Sequence, residues 1–231
     1  MKNETDIKQL ILPKPKAFLF DMDGVICNTQ WAKNESTAIA VNEFFRHQLK
    51  IPIPTKEIFE HYNGMRFIDY APDLFNKYNL KTTEKEIVQI RKRRDEVFND
   101  LIKNQPLAID DTLEFIRKVS TKGIPLAIAS GSKKEFILEI VEKLNIANFF
   151  QVIVSSYEVT RGKPYPDVYV EAAKRLSVNA EECYVIEDAE EGMKAGKAAS
   201  CKIIGLVEDV TKPYSADWLV TSLKQIEVLD Y

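Results

Sequence analysis

The sequence lacks a strong excess of charge of either sign, and this absence bears on its partners. Its 231 residues include 32 Lys and Arg against 35 Asp and Glu, a formal net charge of -3. Such a balanced chain produces no overall field that would attract nucleic acid or an anionic membrane surface. We therefore expect neither nucleic acid nor a membrane as a partner.

Cysteine and long apolar runs are also scarce. The three cysteines, Cys27, Cys183 and Cys201, are an odd number, lie far apart and lack the spacing of a metal site. The first residues, MKNETDIKQLILPKPK, lack the apolar core of a signal peptide, and no run approaches the roughly 20 apolar residues of a membrane helix. We expect a cytoplasmic protein, and we expect it to be a monomer.

The pattern that is present alternates short apolar runs with longer helical segments, which predicts an α/β fold with a doubly wound parallel sheet. Ligands of such sheets bind outside the carboxyl ends of the strands. Predicted strands are AFLF (17–20), PLAIAS (125–130), FQVIVS (150–155), CYVIE (183–187) and CKIIGL (201–206). Predicted crossover helices are KKEFILEIVEKL (133–144), PDVYVEAAKRL (166–176) and EEGMKAGKAA (190–199).

The first two of these strands are separated by roughly 100 residues, far more than one crossover helix needs. This length predicts an inserted α-helical domain at residues 29–105, with an α/β core formed by residues 1–28 and 106–231. Helical patterns inside the insert run from Thr29 to Leu49, from Thr55 to His61 and from Thr83 to Ile102.

The segment FLFDMDGVICNT (18–29) places two carboxylates directly after an apolar strand. Residues two apart on an extended chain project to the same side, so Asp21 and Asp23 can both face the crevice before Gly24 turns the chain. Paired carboxylates of this kind indicate a metal site, an acid/base pair or both. A simple Asp-rich turn is the plainer interpretation of an isolated DxDG segment.

Three more polar segments come after predicted strands, as Asp21 and Asp23 do. Ser130 is followed by Gly131, Ser132 and Lys133 at the start of a helix, which suits either an anion or an N-cap. Lys163 is followed by Pro164 and Pro166 in RGKPYPD, which stiffen the chain around this cation, although most lysines are simply exposed. The adjacent acids Glu187 and Asp188 would repel each other without a cation, although Asp188 could also act as an N-cap.

These segments, DMDGVICNT, ASGS, RGKPYPD and VIEDAEEGMKAGKAA, together resemble the four motifs of the haloacid dehalogenase superfamily. The insert after the first motif resembles the helical cap of the branch that contains β-phosphoglucomutases and small sugar-phosphate phosphatases. The sequence departs from the usual motifs at Asn28, where Asp is usual, at Ala189, where Ser is usual, and at Ser200, where Gly is frequent.

The resemblance implies a role for each motif residue. Asp21 would be the nucleophile that forms an aspartyl-phosphate, and Asp23 the acid/base. Lys163 and Ser130 would bind phosphoryl oxygens. Mg²⁺ would be held by Asp21, the backbone carbonyl of Asp23 and Asp188, with Glu187 assisting directly or through water. Because Asp23 can protonate an alkoxide leaving group, the resemblance favours cleavage of P–O bonds. Further contacts to the bound phosphate are assigned to Gly24, Gly131, Ser132 and Lys133.

In the insert, the substrate-facing residues are less clearly marked. Arg94 falls on the apolar stripe of its helix, and related caps carry a substrate-facing Lys or Arg at the matching position. An Arg whose apolar stem crosses the core of the insert is an equal alternative. Arg66, Trp31 and Lys33 are further candidates for contact with the substrate.

Three functions remain open at this point. The preferred one is a phosphatase of a small phosphorylated metabolite, such as a sugar or polyol phosphate. The second is a phosphosugar mutase of the β-phosphoglucomutase type, and the third is a phosphate-binding regulatory protein without turnover. At the position where the resembling mutases carry a His in the cap, this chain has Lys33, whose ammonium only donates hydrogen bonds. That difference favours hydrolysis.

Overall fold

The computed structural model describes residues 9–230, which divide into two compact units. The core unit comprises the described residues up to Cys27 and from Ala108 onward, and the helical unit comprises Asn28–Leu107. The strands are β1 (Leu10–Leu12), β2 (Ala17–Phe20), β3 (Leu126–Ser130), β4 (Val152–Ser155), β5 (Cys183–Glu187), β6 (Lys202–Leu206), β7 (Trp218–Val220) and β8 (Ile226–Val228). The α-helices are α1 (Gln30–Phe44), α2 (Thr55–Tyr62), α3 (Phe67–Lys77), α4 (Glu84–Ile102), α5 (Asp110–Thr121), α6 (Lys134–Lys143), α7 (Asp167–Arg175) and α8 (Glu190–Ala198).

The core unit is built on a six-stranded parallel sheet with the order β4-β3-β2-β5-β6-β7. The first strand in the chain to join it, β2, lies in the middle, and the order changes direction there, as in other doubly wound sheets. A separate pair of parallel strands, β1 and β8, brings the two ends of the described chain together.

Alternate side chains of β2 pack on opposite faces of the sheet, as the period of an extended strand requires. Ala17 and Leu19 lie in a buried cluster with residues of α7 and α8, which include Tyr169 and Met193. Phe18, on the other face, packs edge-on against Phe115 of α5 at 5.4 Å between ring centroids. Because both faces are covered by helices, the strand is apolar throughout.

The helical unit packs its four helices around a core of its own. Buried side chains come from α1, α2, α3 and α4, and they include Val41, Phe67, Leu74 and Ile90. Helix α4 begins with a capping box, in which the Thr83 hydroxyl accepts from the backbone of Glu86 and the Glu86 carboxylate accepts from the backbone of Thr83. None of the helices within residues 9–230 combines the length and the apolar character that crossing a membrane requires.

The α/β class and the parallel sheet predicted from the sequence are confirmed, and all five predicted strands are present. The helix predicted from Thr29 to Leu49 ends earlier, at Phe44. Helix α3 was not predicted from the sequence; it contains Pro72, which removes one backbone donor. Burial of Phe67, Tyr70 and Leu74 along its inner face outweighs that loss.

Candidate active site

The carboxyl ends of three neighbouring strands carry the polar residues that the sequence singled out. Asp21 follows β2 directly, Ser130 is the last residue of β3, and Glu187 is the last residue of β5. The backbone N–H of Asp21 donates to the carbonyl of Ile186, which fixes the ends of β2 and β5 side by side. Strand pairing therefore brings residues that are more than 100 positions apart in the chain to one edge of the sheet.

Lys163 lies between two carboxylates. Its ammonium donates to Asp21 Oδ1 at 2.6 Å and to Glu187 Oε1 at 2.5 Å, and the side chain is only 1% exposed. Burial alone would lower the pKa of Lys163, but the charges of Asp21 and Glu187 and their hydrogen bonds outweigh burial and raise it above its ordinary value. The lysine therefore stays cationic, which excludes the simple interpretation of an exposed loop residue.

Glu187 is held by four donors, and one of the side chains among them, Tyr169, was not predicted from the sequence. Besides Lys163, its Oε1 accepts from the hydroxyl of Tyr169 at 2.6 Å, while Oε2 accepts from the backbone N–H groups of Asp188 and Ala189. Burial, followed by the charge of Glu187, raises the pKa of the Tyr169 phenol well above its usual value, so the phenol keeps its proton. A tyrosine within the inward-facing stripe of α7 needs a partner for its hydroxyl, and that need was the available signal.

Asp188 and Asp21 complete an acidic cluster with Glu187. One carboxylate oxygen of each residue lies within 4.8 Å of those of the others. Burial, with the charges of Glu187 and Asp21, raises the pKa of Asp188 well above its ordinary value. Burial and the charges of Glu187 and Asp23, opposed by Lys163, raise the pKa of Asp21 to about 7. One lysine does not offset this much buried negative charge.

A divalent cation fits this cluster. Asp188 Oδ1 is buried and has no hydrogen-bond partner among residues 9–230, which leaves it available as a ligand. Carboxylate oxygens are the ligands that hard divalent cations prefer. Because the four donors around Glu187 already fill its lone-pair directions, Asp21 and Asp188 have more freedom than Glu187 to bind a cation directly.

Two glycines allow the carboxylates to approach the backbone closely. A Cβ atom at Gly24, where φ is +89°, would lie 2.2 Å from Asp188 Oδ2. A Cβ atom at Gly192, in the first turn of α8, would lie 1.8 Å from Glu187 Oε1. Both distances are far inside van der Waals contact, so any side chain at either position would displace an acidic group of the cluster. Gly24 thus borders the cluster, and so does Gly192, which was not predicted from the sequence.

Asp23 is bound separately, by hydroxyl groups. The Oγ atoms of Ser132 and Ser130 donate to Asp23 Oδ2 at 3.0 and 3.4 Å, and Asp23 is 1% exposed. Ser130 Oγ also accepts from the backbone N–H of Ser132. A contact between Ser130 and a phosphoryl oxygen requires its hydroxyl to change partner, and this contact stays a prediction. Gly131 is half-buried, and Lys133 is exposed at the N-cap of α6.

Within the helical unit, the two predicted arginines are both largely buried but have different partners. Arg66 forms two hydrogen bonds with the carboxylate of Asp69, at 2.6 and 2.9 Å. Arg94 lies on the inner side of α4, where its Nε donates to Thr37 Oγ1 at 3.0 Å and its guanidinium lies 5.7 Å from the ring centroid of Phe67. The predicted direction of Arg94 along the apolar stripe agrees with these contacts, while its role toward a substrate stays a prediction.

Trp31 and Lys33 lie on the first turn of α1. The indole Nε1 of Trp31 donates to the carbonyl of Asn28 at 3.2 Å, and the ring lines an open cavity of about 590 Å³ together with Phe59 and Leu101. Lys33 is half-buried, and its backbone carbonyl accepts from the hydroxyl of Thr37. Whether either side chain meets a substrate stays a prediction.

Comparison with known proteins places this architecture in a family. A doubly wound sheet with a buried lysine and an acidic cluster at its carboxyl edge is an arrangement suited to a hydrolase. Residues 18–206 match the family described as haloacid dehalogenase-like hydrolase. The chain belongs to this family and is an enzyme of its phosphatase type.

Relatives and solved structures agree with this assignment. The chain is 29% identical over 202 residues to a phosphorylated carbohydrates phosphatase of Thermotoga maritima, covering 84% of this chain and 87% of the relative. It superposes on β-phosphoglucomutase of Clostridium difficile with a TM-score of 0.78 and 25% identity, covering 92% and 93% of the two chains. CbbY of Rhodobacter sphaeroides, solved with xylulose-(1,5)bisphosphate, shares the fold with a TM-score of 0.77 and 21% identity, covering 93% and 97%.

Proposed function

We propose that this phosphatase is Mg²⁺-dependent and hydrolyses a small sugar or polyol phosphate through an aspartyl-phosphate on Asp21. One observation carries the proposal: a buried lysine holds Asp21 at 2.6 Å, beside an acidic cluster with a free buried oxygen, while Asp23 is bound apart from them. The two aspartates that follow β2 thus have different surroundings, and such a difference separates a nucleophile from an acid/base.

In the first step, an oxygen of Asp21 bonds to phosphorus while the bond from phosphorus to the ester oxygen breaks. Asp23, in its acid form, gives its proton to the departing oxygen, which leaves as an alcohol. Lys163 offsets negative charge at Asp21, because two anionic groups must approach each other in this step. The hydrogen bonds of Lys163 to Asp21 and Glu187 hold its ammonium in position, although the group is buried away from water.

In the second step, water attacks phosphorus and the bond between phosphorus and Asp21 breaks. Asp23, now a carboxylate, takes a proton from the attacking water, so that inorganic phosphate leaves and both aspartates return to their starting states. The hydroxyls of Ser130 and Ser132, which donate to Asp23, orient its carboxyl group for both transfers.

Mg²⁺ would be held by Asp21, Asp188 and the backbone carbonyl of Asp23, with Glu187 acting through water. When bound, the ion supplies charge neutralisation between the carboxylate and the phosphate dianion. Ca²⁺, which prefers more ligands and longer distances, should support turnover poorly. Addition of a chelator should stop phosphate release, and Mg²⁺ should restore it.

We propose further that the helical unit is the cap domain and selects the substrate, with Arg94 and Arg66 as its cationic contacts. The phosphorylated carbohydrates phosphatase of Thermotoga maritima supports sugar phosphates as the substrate class. A panel of sugar, polyol and nucleotide phosphates, assayed with Mg²⁺ for phosphate release, tests the proposal. A substrate preference outside sugars and polyols would contradict the substrate class, and no turnover on any member would contradict the enzyme.

The covalent intermediate has its own test. Acid quenching during turnover of a ³²P-labelled substrate should trap label on the protein, and hydroxylamine should release it, as expected of an acyl phosphate. The variant Asp21→Asn should carry no label under the same conditions. Label that persists in Asp21→Asn would place the intermediate on another residue.

A phosphosugar mutase is the second candidate, because the superposition on β-phosphoglucomutase covers nearly the whole chain. A mutase must keep water from its phosphoenzyme long enough for the intermediate to turn around. With β-glucose 1-phosphate and a trace of β-glucose 1,6-bisphosphate, we expect phosphate release to dominate over phosphate exchange. Glucose 6-phosphate that forms much faster than free phosphate would replace the phosphatase assignment with the mutase.

A further inference from the structure

Tyr169 is a fully buried side chain whose hydroxyl lies at the carboxyl edge of the sheet. The reaction steps described above assign it no role. Its hydroxyl donates to Glu187 Oε1 at 2.6 Å, and its ring lies 5.0 Å from the ammonium of Lys163. The same oxygen of Glu187 accepts from Lys163 at 2.5 Å. Two donors on different segments of the chain therefore share one carboxylate oxygen.

The remaining contacts of Glu187 leave that carboxylate little freedom to move. Two backbone N–H groups bind Oε2, and the space beside Oε1 at Gly192 is so narrow that a Cβ atom there would lie 1.8 Å away. Since the carboxylate cannot rotate away, Lys163 and Tyr169 compete for the same oxygen, Glu187 Oε1. The position of the Lys163 ammonium between Glu187 and Asp21 then depends on how strongly Oε1 attracts it.

We propose that Tyr169 is a positioning residue whose hydroxyl, by occupying part of Glu187 Oε1, keeps the ammonium of Lys163 on Asp21. A carboxylate oxygen with one strong donor attracts a cation more than the same oxygen with two. Without the hydroxyl, Lys163 moves toward Glu187, and the nucleophile loses part of its neutralising charge. The inference rests on the proposed function, in which Asp21 attacks the substrate.

The variant Tyr169→Phe tests the proposal, because it removes the hydroxyl and keeps the ring against Lys163. We expect kcat to fall about tenfold, the size of the loss of one hydrogen bond to a charged group. We expect KM to change less than about twofold, since a side chain that is 0% exposed cannot touch the substrate. The control is Tyr184→Phe on the same strand as Glu187, where the hydroxyl of a buried ring is also removed.

A spectroscopic measurement follows Lys163 directly. In the full chain labelled with ¹⁵N-lysine, with and without Mg²⁺, the ammonium resonance that disappears in Lys163→Arg should shift in Tyr169→Phe and stay in place in Tyr184→Phe. A double-mutant cycle combines Tyr169→Phe with Glu187→Gln. In the Glu187→Gln background the charge that attracts Lys163 is gone, so Tyr169→Phe should lower kcat little further. A purely structural tyrosine would cost the same in both backgrounds.

Unchanged kcat together with an unmoved Lys163 resonance in Tyr169→Phe would overturn the inference, as would a loss confined to KM. Both variants should be compared at a temperature where thermal denaturation shows them folded. If the wild-type chain turns over no phosphate ester, the proposed function fails. The Lys163 resonance in Tyr169→Phe still tests whether the Tyr169 hydroxyl positions the ammonium. Failure of the two proposals can therefore be told apart.

Discussion

Lys163 of the core unit and Arg94 of the helical unit are both largely buried cations, but their charges are neutralised in different ways. Lys163 of the core unit is bound by two carboxylates, within a cluster that contains a third acid with a free oxygen. In the helical unit, Arg94 is bound by the neutral hydroxyl of Thr37 and only at 3.4 Å by the carboxylate of Asp95. The first site has an excess of negative charge, and the second has weakly compensated positive charge.

This difference separates two kinds of task. A site with fixed, mutually bound groups of both signs suits chemistry, because its charges are in place before a substrate arrives. A cation held mainly by a neutral partner keeps much of its attraction for an anion. We therefore expect substitutions in the core unit to act on kcat and on the metal, and substitutions at Arg94 to act on KM.

The largest effect is expected from Asp21→Asn, which should lower kcat by roughly a thousandfold or more, because an amide is a poor nucleophile. Asn is nearly isosteric, so the thermal midpoint should change little. Steady-state phosphate release measures the loss. The control is Asp111→Asn at the start of α5, where the carboxylate binds Ser222 and Lys224. Near-normal activity of Asp21→Asn would exclude the covalent mechanism.

The next effect concerns the metal. Asp188→Ala removes the carboxylate with the unpartnered buried oxygen, and the Mg²⁺ concentration for half-maximal activity should rise at least about tenfold. Titration of activity with Mg²⁺ gives this value. Asp209→Ala, which removes an acid paired with Thr211 and Lys212, should leave it unchanged. Equal Mg²⁺ requirements in wild type and Asp188→Ala would remove Asp188 from the ligand set.

A smaller effect, confined to substrate binding, is expected in the helical unit. Arg94→Gln should raise KM by about tenfold with kcat nearly unchanged, the size expected for the loss of one hydrogen bond to a charged group. Arg93→Gln is the matched control, because the neighbouring Arg93 binds Glu43 and Glu96 on the exposed side of α4. If both variants match the wild type, Arg94 only packs through the core of the unit.

The smallest effect is on stability alone. Ser200 follows α8 with φ of +67°, a left-handed conformation in which Gly has no Cβ penalty. Ser200→Gly should therefore raise the free energy of unfolding by about 0.5–1 kcal/mol. Ala198→Gly, two residues earlier and still helical, should lower it by about the same amount. Chemical denaturation measures both free energies of unfolding. Changes of the same sign in the two variants would show that Ser200 is not strained by its positive φ.

The sequence alone determined the sheet and most of the polar residues at its edge. Apolar runs long enough to be strands end at Asp21, Ser130 and Glu187, and a parallel sheet places all such ends together. Five strands and the helices between them follow from periodicity, because burial on both faces forces nearly continuous apolar sequence. The positive φ of Ser200, seen in the structure, gives a physical reason for the Gly that the resembling motifs frequently carry at this position.

Only the tertiary structure decided which groups bind each other. The contact between Tyr169 and Glu187, the narrow space at Gly192 and the choice of Thr37 as partner for Arg94 depend on distances between segments that no local pattern encodes. The three-residue strands β1, β7 and β8 likewise exist through pairing with a neighbour rather than through their own sequence. Periodicity reports which face of an element is buried, whereas hydrogen-bond partners are set by the packing of one element against another.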